Sequence, residues 1–252
     1  MSERKRVAVL ISGRGSNMAS LVNAAAEQDY PAEIVCVISD QSDAAGLHFA
    51  SSQGIPTLVV SRRDFDSKDA HDAAIDAHLK AFKADIVALA GYMRLLTPGF
   101  VSQWQGRMIN IHPSLLPLFK GLNSHRRAID AGVRVHGCTV HFVTADMDDG
   151  PIIAQAAVPV LSNDTEAALS VRVLKQEHRL YPIALRLVAE GKVRMEHGRT
   201  VCSGFEDGGA DSSISSPSPL PDLPDLERLA RITPERGAAR VRKLSSTTPR
   251  QN

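Results

Sequence analysis

The sequence has few of the residues that build disulfide frameworks and metal centres. Its 252 residues include 3 cysteines, Cys36, Cys138 and Cys202, which are widely separated. No pair of them has the spacing of a metal site, and an odd number argues against a disulfide framework. Free thiols in a reducing compartment are therefore the expected state.

Long apolar runs and an excess of one charge are also absent. No run approaches the roughly 20 apolar residues that a membrane-spanning helix needs. The charged stretch 1–6 lacks the apolar region of a signal peptide. With 29 Lys and Arg against 28 Asp and Glu, the formal net charge is +1, so no global field favours nucleic acid or membrane. We therefore expect a cytoplasmic protein with neither kind of partner.

What the sequence does contain is a series of short apolar segments that alternate with helix-like stretches. The predicted strands are 7–11, 34–38, 57–60, 86–89 and 108–111, and the predicted helices between them are 18–26, 44–53 and 69–82. Parallel strands need crossover helices, so this alternation predicts a Rossmann-like α/β fold with a doubly wound, mostly parallel sheet.

The alternation stops in the second half of the chain. Residues 139–143 and 152–158 read as two strands with no helix between them, which predicts that the sheet becomes mixed at its C-terminal strands. A long helical stretch follows at 164–190, and Pro182 within it is expected to kink or divide the helix.

Composition changes after Cys202. The segment 203–252 is rich in Ser, Pro and Gly and holds one aromatic residue, Phe205. Such a segment cannot bury enough apolar surface to offset its conformational entropy. We therefore predict a folded domain at 1–202 and a disordered, low-complexity tail at 203–252.

The first chemical motif is the glycine-rich turn 12–17, which follows the first strand and opens a helix. Gly13 and Gly15 allow a tight turn, and the amides at the helix start can bind an anion. The Lys of a Walker loop and the full dinucleotide fingerprint are missing. Its place at the end of strand one favours a phosphate site, and an ordinary tight turn is the alternative.

The second motif is 110–117, at the end of strand five. Side chains alternate along a strand, so Asn110 and His112 point the same way and can act on one small group. Asn offers a neutral donor, and His a donor or acid near neutral pH. The alternative is a polar strand end that caps a turn.

The third motif is the acidic turn 146–151. A carboxylate from it beside His112 could hold the imidazole. A plain turn before Gly150 and Pro151 explains the same residues, and a metal site lacks companion ligands.

Three other aromatic or imidazole side chains and one segment remain open. His141 can face either the cleft or the core, and His125 lies in a loop that could cover a substrate. Trp104 is expected to pack. The segment 92–96 after strand four could line an apolar slot or begin a helix.

Together, segments 10–17, 89–94, 110–117 and 136–143 resemble the folate-dependent formyltransferase family, in its glycinamide ribonucleotide branch. The resemblance covers residues 6–195. It implies transfer of a formyl group from the cosubstrate 10-formyltetrahydrofolate to the amine of glycinamide ribonucleotide, a step of purine (IMP) biosynthesis. It implies a monomer or homodimer that uses no metal.

The resemblance also implies roles for individual residues. The catalytic trio would be Asn110, His112 and Asp148. The ribonucleotide would be bound by Gly15, Ser16, Asn17, Lys68 and Glu177, and the folate pteridine by Met93, Arg94 and Leu96.

Two positions depart from the family pattern. Lys68 stands where the family often has Arg. Lysine keeps the positive charge but lacks the guanidinium that can bind a phosphate through two hydrogen bonds at once. Asn123 occupies a position where His is common.

Other functions fit less well. A transfer-RNA formyltransferase would need a folded, basic C-terminal domain, and a formyltetrahydrofolate hydrolase would carry an extra N-terminal domain. A binding module without catalysis would leave Asn110, His112 and Asp148 unexplained.

Overall fold

A seven-stranded sheet forms the centre of the protein. The computed structural model describes residues 3–203. The strands of this sheet are β1 Lys5–Ile11, β2 Ala32–Ser39, β3 Thr57–Val59, β4 Ile86–Leu89, β5 Met108–His112, β6 Val135–Phe142 and β7 Ile152–Pro159. The spatial order is β3-β2-β1-β4-β5-β6-β7. Strands β1 to β5 pair in parallel, whereas β6 and β7 pair antiparallel, which confirms the mixed sheet predicted from the sequence.

Helices cover both faces of the sheet, as parallel strands require. They are α1 Ser16–Ala25, α2 Ala45–Ser52, α3 Lys68–Ala81, α4 Pro98–Gln103, α5 Ser124–Asp130 and α6 Glu166–Ala189, with a 3₁₀ turn at Arg62–Asp64. Side-chain caps begin three of them. Ser67, Thr97 and Thr165 each accept a hydrogen bond from the backbone N–H three residues on, which satisfies a donor that the helix leaves free.

The chain reverses direction across the sheet between β1 and β4. From β1 it moves outward through β2 and β3, and then returns to the other side of β1 to form β4. Ligands of open α/β sheets bind at such a switch point, outside the carboxyl ends of the strands. The loops after β1, β4 and β5 meet there.

A buried tyrosine links the sheet to its longest helix near this edge. The Tyr181 hydroxyl, on α6, donates to the backbone carbonyls of Leu89 (2.9 Å) and Ile109 (3.2 Å). Leu89 ends β4, and Ile109 precedes Asn110 in β5. Helix α6 thereby contacts both β4 and β5, the strands that lead into the site.

Several boundaries differ from those predicted. Helix α6 runs unbroken through Pro182, so the predicted division of the helix is wrong. Strand β6 starts four residues earlier than predicted, at Val135, because pairing with β7 carries His136 and Gly137 into the sheet. Helices α4 and α5 and the hairpin β8 Val193–Glu196 and β9 Arg199–Cys202 were not predicted. The predicted tail lies outside the described residues, apart from Ser203.

The described part of the chain contains no helix long and apolar enough to span a membrane.

Trp104 packs in the core beneath α3, with 3% of its surface exposed, and its indole N–H donates to Asp76 at 3.0 Å. The packing role expected for this residue is confirmed.

Candidate active site

Strands β5 and β6 place an amide and an imidazole side by side. Asn110 pairs directly with His141 across the two strands. The Asn110 Nδ2 atom lies 3.2 Å from His141 Nε2, and His141 Nδ1 lies 2.8 Å from the Phe142 carbonyl oxygen. An N–H at Nδ1 donates to that carbonyl, which leaves Nε2 to accept from Asn110.

Burial keeps His141 in this neutral form. The side chain is 3% exposed, and burial lowers the pKa of His141 below its ordinary value. The Phe142 carbonyl and the Asp148 carboxylate oppose the shift without cancelling it. His141 therefore faces the cleft, one of the two orientations that the sequence left open, and orients the Asn110 amide.

His112 is held between two acceptors. Its Nδ1 atom lies 3.2 Å from Asp148 Oδ2, and its Nε2 atom lies 3.0 Å from the Phe119 carbonyl oxygen. An imidazolium would donate to both, whereas a neutral ring would leave one nitrogen facing an acceptor without a proton. Both ring nitrogens of His112 therefore face oxygen acceptors.

The turn between β6 and β7 aims one of its three acids at this histidine. Asp148 has a φ of 51°, in the left-handed region that Asp tolerates better than most residues. Its carboxylate also accepts from the Gly121 N–H at 2.8 Å and lies 3.8 Å from His141 Nε2. Asp149 instead points outward and pairs with Lys120.

Asn110, His112 and Asp148 open onto a cavity of about 470 Å³. The loop after β4 forms an apolar wall, in which Met93 and Leu95 are 66% and 62% exposed. Leucine and valine side chains of β4, α4 and the loop after β6 extend the lining, and Met147 and Leu122 lie on the opposite side. The folate residues implied by the resemblance, Met93, Arg94 and Leu96, all line this cavity.

The glycine-rich turn 12–17 reaches the cavity through its last residue, Asn17. Gly15 has a φ of 72°, and a Cβ there would lie 2.8 Å from the Cα of Gly46, so both its backbone conformation and its neighbour require glycine. Ser16 begins α1, and Asn17 reaches the cavity wall. Asn17 Nδ2 donates to Glu177 Oε2 at 2.7 Å.

Glu177 is a buried carboxylate on α6 that also lines the cavity. Burial raises the pKa of Glu177, and the hydrogen bond from Asn17 opposes that shift. Asn17 Oδ1 is buried and has no hydrogen-bond partner among the described residues. The pair therefore offers unused hydrogen-bonding capacity to a polar ligand.

Not every residue implied by the resemblance reaches the cavity. Lys68 begins α3 with an exposed side chain and does not line the cavity, and neither do Gly15 and Ser16.

Within residues 3–203, no group of three or more His, Cys, Asp or Glu side chains is arranged to hold a metal.

Reasoning from the sequence missed one partner of the site, Phe119, and placed another, His125, in a loop although it lies in a helix. Phe119, whose carbonyl faces His112 Nε2, comes from an irregular loop with no local signal. His125 belongs to α5, lines the cavity and lies 3.3 Å from the buried His136 through their ring nitrogens. The cross-strand contact between Asn110 and His141 could be found only from the register of β5 and β6.

The doubly wound sheet groups an amide, an imidazole and a carboxylate beside a cavity, which is the arrangement of an enzyme active site. The chain belongs to the family described as "Formyl transferase", which it matches over residues 5–185.

The relatives within this family carry a consistent set of names. The chain is 42% identical over 200 residues to phosphoribosylglycinamide formyltransferase of Haemophilus influenzae, covering 79% of this chain and 94% of that protein. The chain is also similar to the trifunctional purine biosynthetic protein adenosine-3 of Bos taurus, with 51% identity over 205 residues, which is 81% of this chain. It spans 20% of the length of that trifunctional protein.

The crystal structure of phosphoribosylglycinamide formyltransferase from Brucella melitensis superposes with a TM-score of 0.72 at 57% identity. The match covers 74% of this chain and 96% of that one.

Proposed function

We propose that this enzyme transfers the formyl group of 10-formyltetrahydrofolate to the amine of glycinamide ribonucleotide, in purine biosynthesis. The observation that carries the proposal is the grouping of Asn110, His112 and Asp148 at the head of a cavity with an apolar wall. The names of the relatives that the chain matches over most of their length support the same reaction. We further expect a cytoplasmic monomer or homodimer that acts on these two small molecules.

The cavity suits a folate at one end and a ribonucleotide at the other. The wall formed by Met93, Arg94 and Leu96 presents apolar side chains and loop backbone to a flat pteridine ring. Next to Asn17, which lines the cavity, the amides of Gly15 and Ser16 at the start of α1 suit a phosphate. Lys68 would approach that phosphate as a point charge from outside the cavity.

Glu177 is placed to bind the glycinamide portion. Its carboxylate is buried, keeps one hydrogen bond from Asn17, and faces the cavity. An amine or amide N–H of the substrate would donate to it, which would position the attacking nitrogen near the reacting carbon.

The amine nitrogen attacks the formyl carbon and forms the new C–N bond, so that the formyl oxygen becomes an oxyanion. Asn110 uses one amide hydrogen on His141, which leaves the second for this oxygen. His112 Nε2 lies 3.0 Å from the Phe119 carbonyl oxygen, and we propose that an N–H at this nitrogen donates to the formyl oxygen in place of that carbonyl. Donors preorganised in this way supply the largest share of catalysis in reactions of this type.

The intermediate then collapses and breaks the bond between the formyl carbon and folate N10. The proton lost by the amine must reach that nitrogen. Asp148 holds the His112 ring and, through a water molecule, passes the proton. The products are formylglycinamide ribonucleotide and tetrahydrofolate.

The deciding experiment is steady-state formyl transfer from 10-formyltetrahydrofolate, measured with and without glycinamide ribonucleotide. We expect loss of the folate formyl group only when the ribonucleotide is present. Turnover with water alone would indicate a hydrolase instead, and no turnover with either would contradict the proposal.

A matched pair of variants tests the role of the acidic turn. Asp148→Asn removes the charge beside His112 and should lower kcat about 100-fold, the usual scale for losing proton-transfer catalysis. Asp149→Asn changes the adjacent, 51% exposed carboxylate and should keep near wild-type kcat. Equal activities of the two variants would remove Asp148 from the mechanism.

A further inference from the structure

The loop 91–97 forms the proposed folate wall, and its own side chains hold it only in part. Tyr92 and Leu96 pack against the core, whereas the three residues between them are exposed. Met93 and Leu95 are 66% and 62% exposed, so they contribute little burial to the conformation of the loop. Gly91 opens the loop with a φ of 75°, in the left-handed region that glycine adopts without steric cost. Polar contacts to the rest of the protein therefore add to the packing of Tyr92 and Leu96 in fixing the exposed middle of the loop.

Those contacts come from three separate elements. After β1, the Ser12 N–H donates to the Gly91 carbonyl (3.2 Å), and the Ser12 hydroxyl accepts from the Met93 N–H (2.9 Å). After β2, Asp40 Oδ2 accepts from Arg94 Nε (2.7 Å). On α3, Asp72 Oδ2 accepts from the Thr97 N–H (2.7 Å) at the far end of the loop.

Asp40 is the central contact of the three. Its side chain is 2% exposed, whereas that of Arg94 is 38% exposed. Burial raises the pKa of Asp40, but the Ser12 hydroxyl, the Gln41 amide and the Arg94 guanidinium around it lower it by more, so its net pKa is below the ordinary value. A buried carboxylate that stays ionised fixes the partner that compensates its charge.

We propose that Asp40 is a positioning residue for the folate site, acting through Arg94 to fix the backbone of the loop 91–97. Asp40 does not itself line the cavity. The inference rests on the proposed function, because the proposed function assigns the folate to this wall. Because Ser12 also opens the glycine-rich turn, the same network joins the walls of the two proposed subsites.

The test is a double-mutant cycle on folate affinity with Asp40→Asn, Arg94→Gln and the double variant. Binding of tetrahydrofolate, the expected product, is measured by titration calorimetry on the full chain, together with KM for 10-formyltetrahydrofolate, KM for glycinamide ribonucleotide, and kcat. We expect Asp40→Asn to weaken tetrahydrofolate binding and to raise the folate KM about tenfold. The effect of the double variant should be smaller than the product of the two single effects.

A matched control separates positioning from general destabilisation. Asp164 is 3% exposed and pairs with Arg172 (2.6 Å) away from the cavity walls, so Asp164→Asn breaks a similar Asp–Arg pair elsewhere. That variant should lower Tm and leave the folate affinity at the wild-type value. The ribonucleotide KM and kcat of Asp40→Asn should change less than threefold.

Two results would overturn the inference in distinguishable ways. If wild-type protein binds tetrahydrofolate and Asp40→Asn binds it equally well, Asp40 has no positioning role and the proposed function stands. If wild-type protein does not bind tetrahydrofolate, the proposed function fails together with the inference. Should Asp40→Asn fail to fold, Asp40→Glu takes its place in the same measurements, because it keeps the charge and moves the carboxylate away from its position beside Arg94.

Discussion

Asn110 shows how a single side chain depends on both strand geometry and a neighbour. Alternation along β5 turns it toward the same side as His112, and the register with β6 places His141 against it. The neutral His141 accepts one amide hydrogen, which fixes the direction of the second.

Asn110→Ala should lower kcat by about 100- to 1000-fold, because one donor to the oxyanion is lost. KM values should change much less, since the donor acts mainly in the transition state. Steady-state kinetics of the purified variant measure both. Gln105→Ala, at an exposed amide, is the control, and near wild-type kcat in Asn110→Ala would exclude the oxyanion role.

His136 predicts how stability varies with pH. Burial lowers the pKa of His136 from 6.5 to about 4, with the nearby His125 adding to the shift. Because the folded pKa is below the unfolded one, the unfolded chain binds more protons between these values. Stability is therefore full above pH 6.5 and is lost as the pH falls toward 4, by about 3 kcal/mol.

Denaturant unfolding at several pH values tests this expectation. His136→Gln should flatten the slope of unfolding free energy between pH 6.5 and 4, and His48→Gln, at an exposed histidine of α2, should not. Identical slopes for wild type and His136→Gln would contradict the assignment.

At the scale of elements, the pair β6 and β7 was the part of the sheet that local sequence described least well. Strand β6 includes Gly137, a residue type that is depleted in strands, and His136, which is not among the residue types enriched in them. Glycine is needed there because a Cβ at position 137 would lie 2.0 Å from the Ala156 carbonyl oxygen of β7. The close approach of the two strands, and not local preference, decides this residue.

Gly137→Ala should therefore lower the free energy of unfolding by about 3 kcal/mol, at the upper end of overpacking costs. Gly99→Ala is the matched control, because a Cβ there meets nothing within 4 Å and alanine favours the helix α4. Guanidinium unfolding compares the two. A loss below about 0.5 kcal/mol in Gly137→Ala would mean that the two strands can separate without cost.

Pro182 shows the reverse case, in which a strong local signal was overridden. The residue lies inside α6, a helix of 24 residues that continues on both sides of the proline. The helix packs on α1 and on the antiparallel strands along its length. The Pro182 carbonyl accepts from the Tyr30 hydroxyl at 2.7 Å, so tertiary contacts support the helix at the proline.

At the scale of the whole molecule, the family match ends at residue 185 and the described structure at residue 203. The composition of 204–252 predicts no contribution to the site. A chain shortened to 1–203 should keep kcat/KM within about twofold and Tm within about 2 °C. Activity assays and calorimetry of both lengths check this, and a large loss of either would assign a structural or catalytic part to the removed segment.

The sequence by itself determined the α/β class, the parallel pairing of the first five strands and the candidate residues Asn110 and His112. These follow from local periodicity and from motifs of contiguous residues, so short-range physics is sufficient for them. Only the tertiary structure decided four other features. They are the register that sets His141 against Asn110, the contact of the Phe119 carbonyl with His112, the hydrogen bonds of Asp40 and Asp72 to the loop 91–97, and the continuity of α6. Each of these joins residues that are distant in sequence or depends on packing around a residue, and their geometry exists only once the chain has folded.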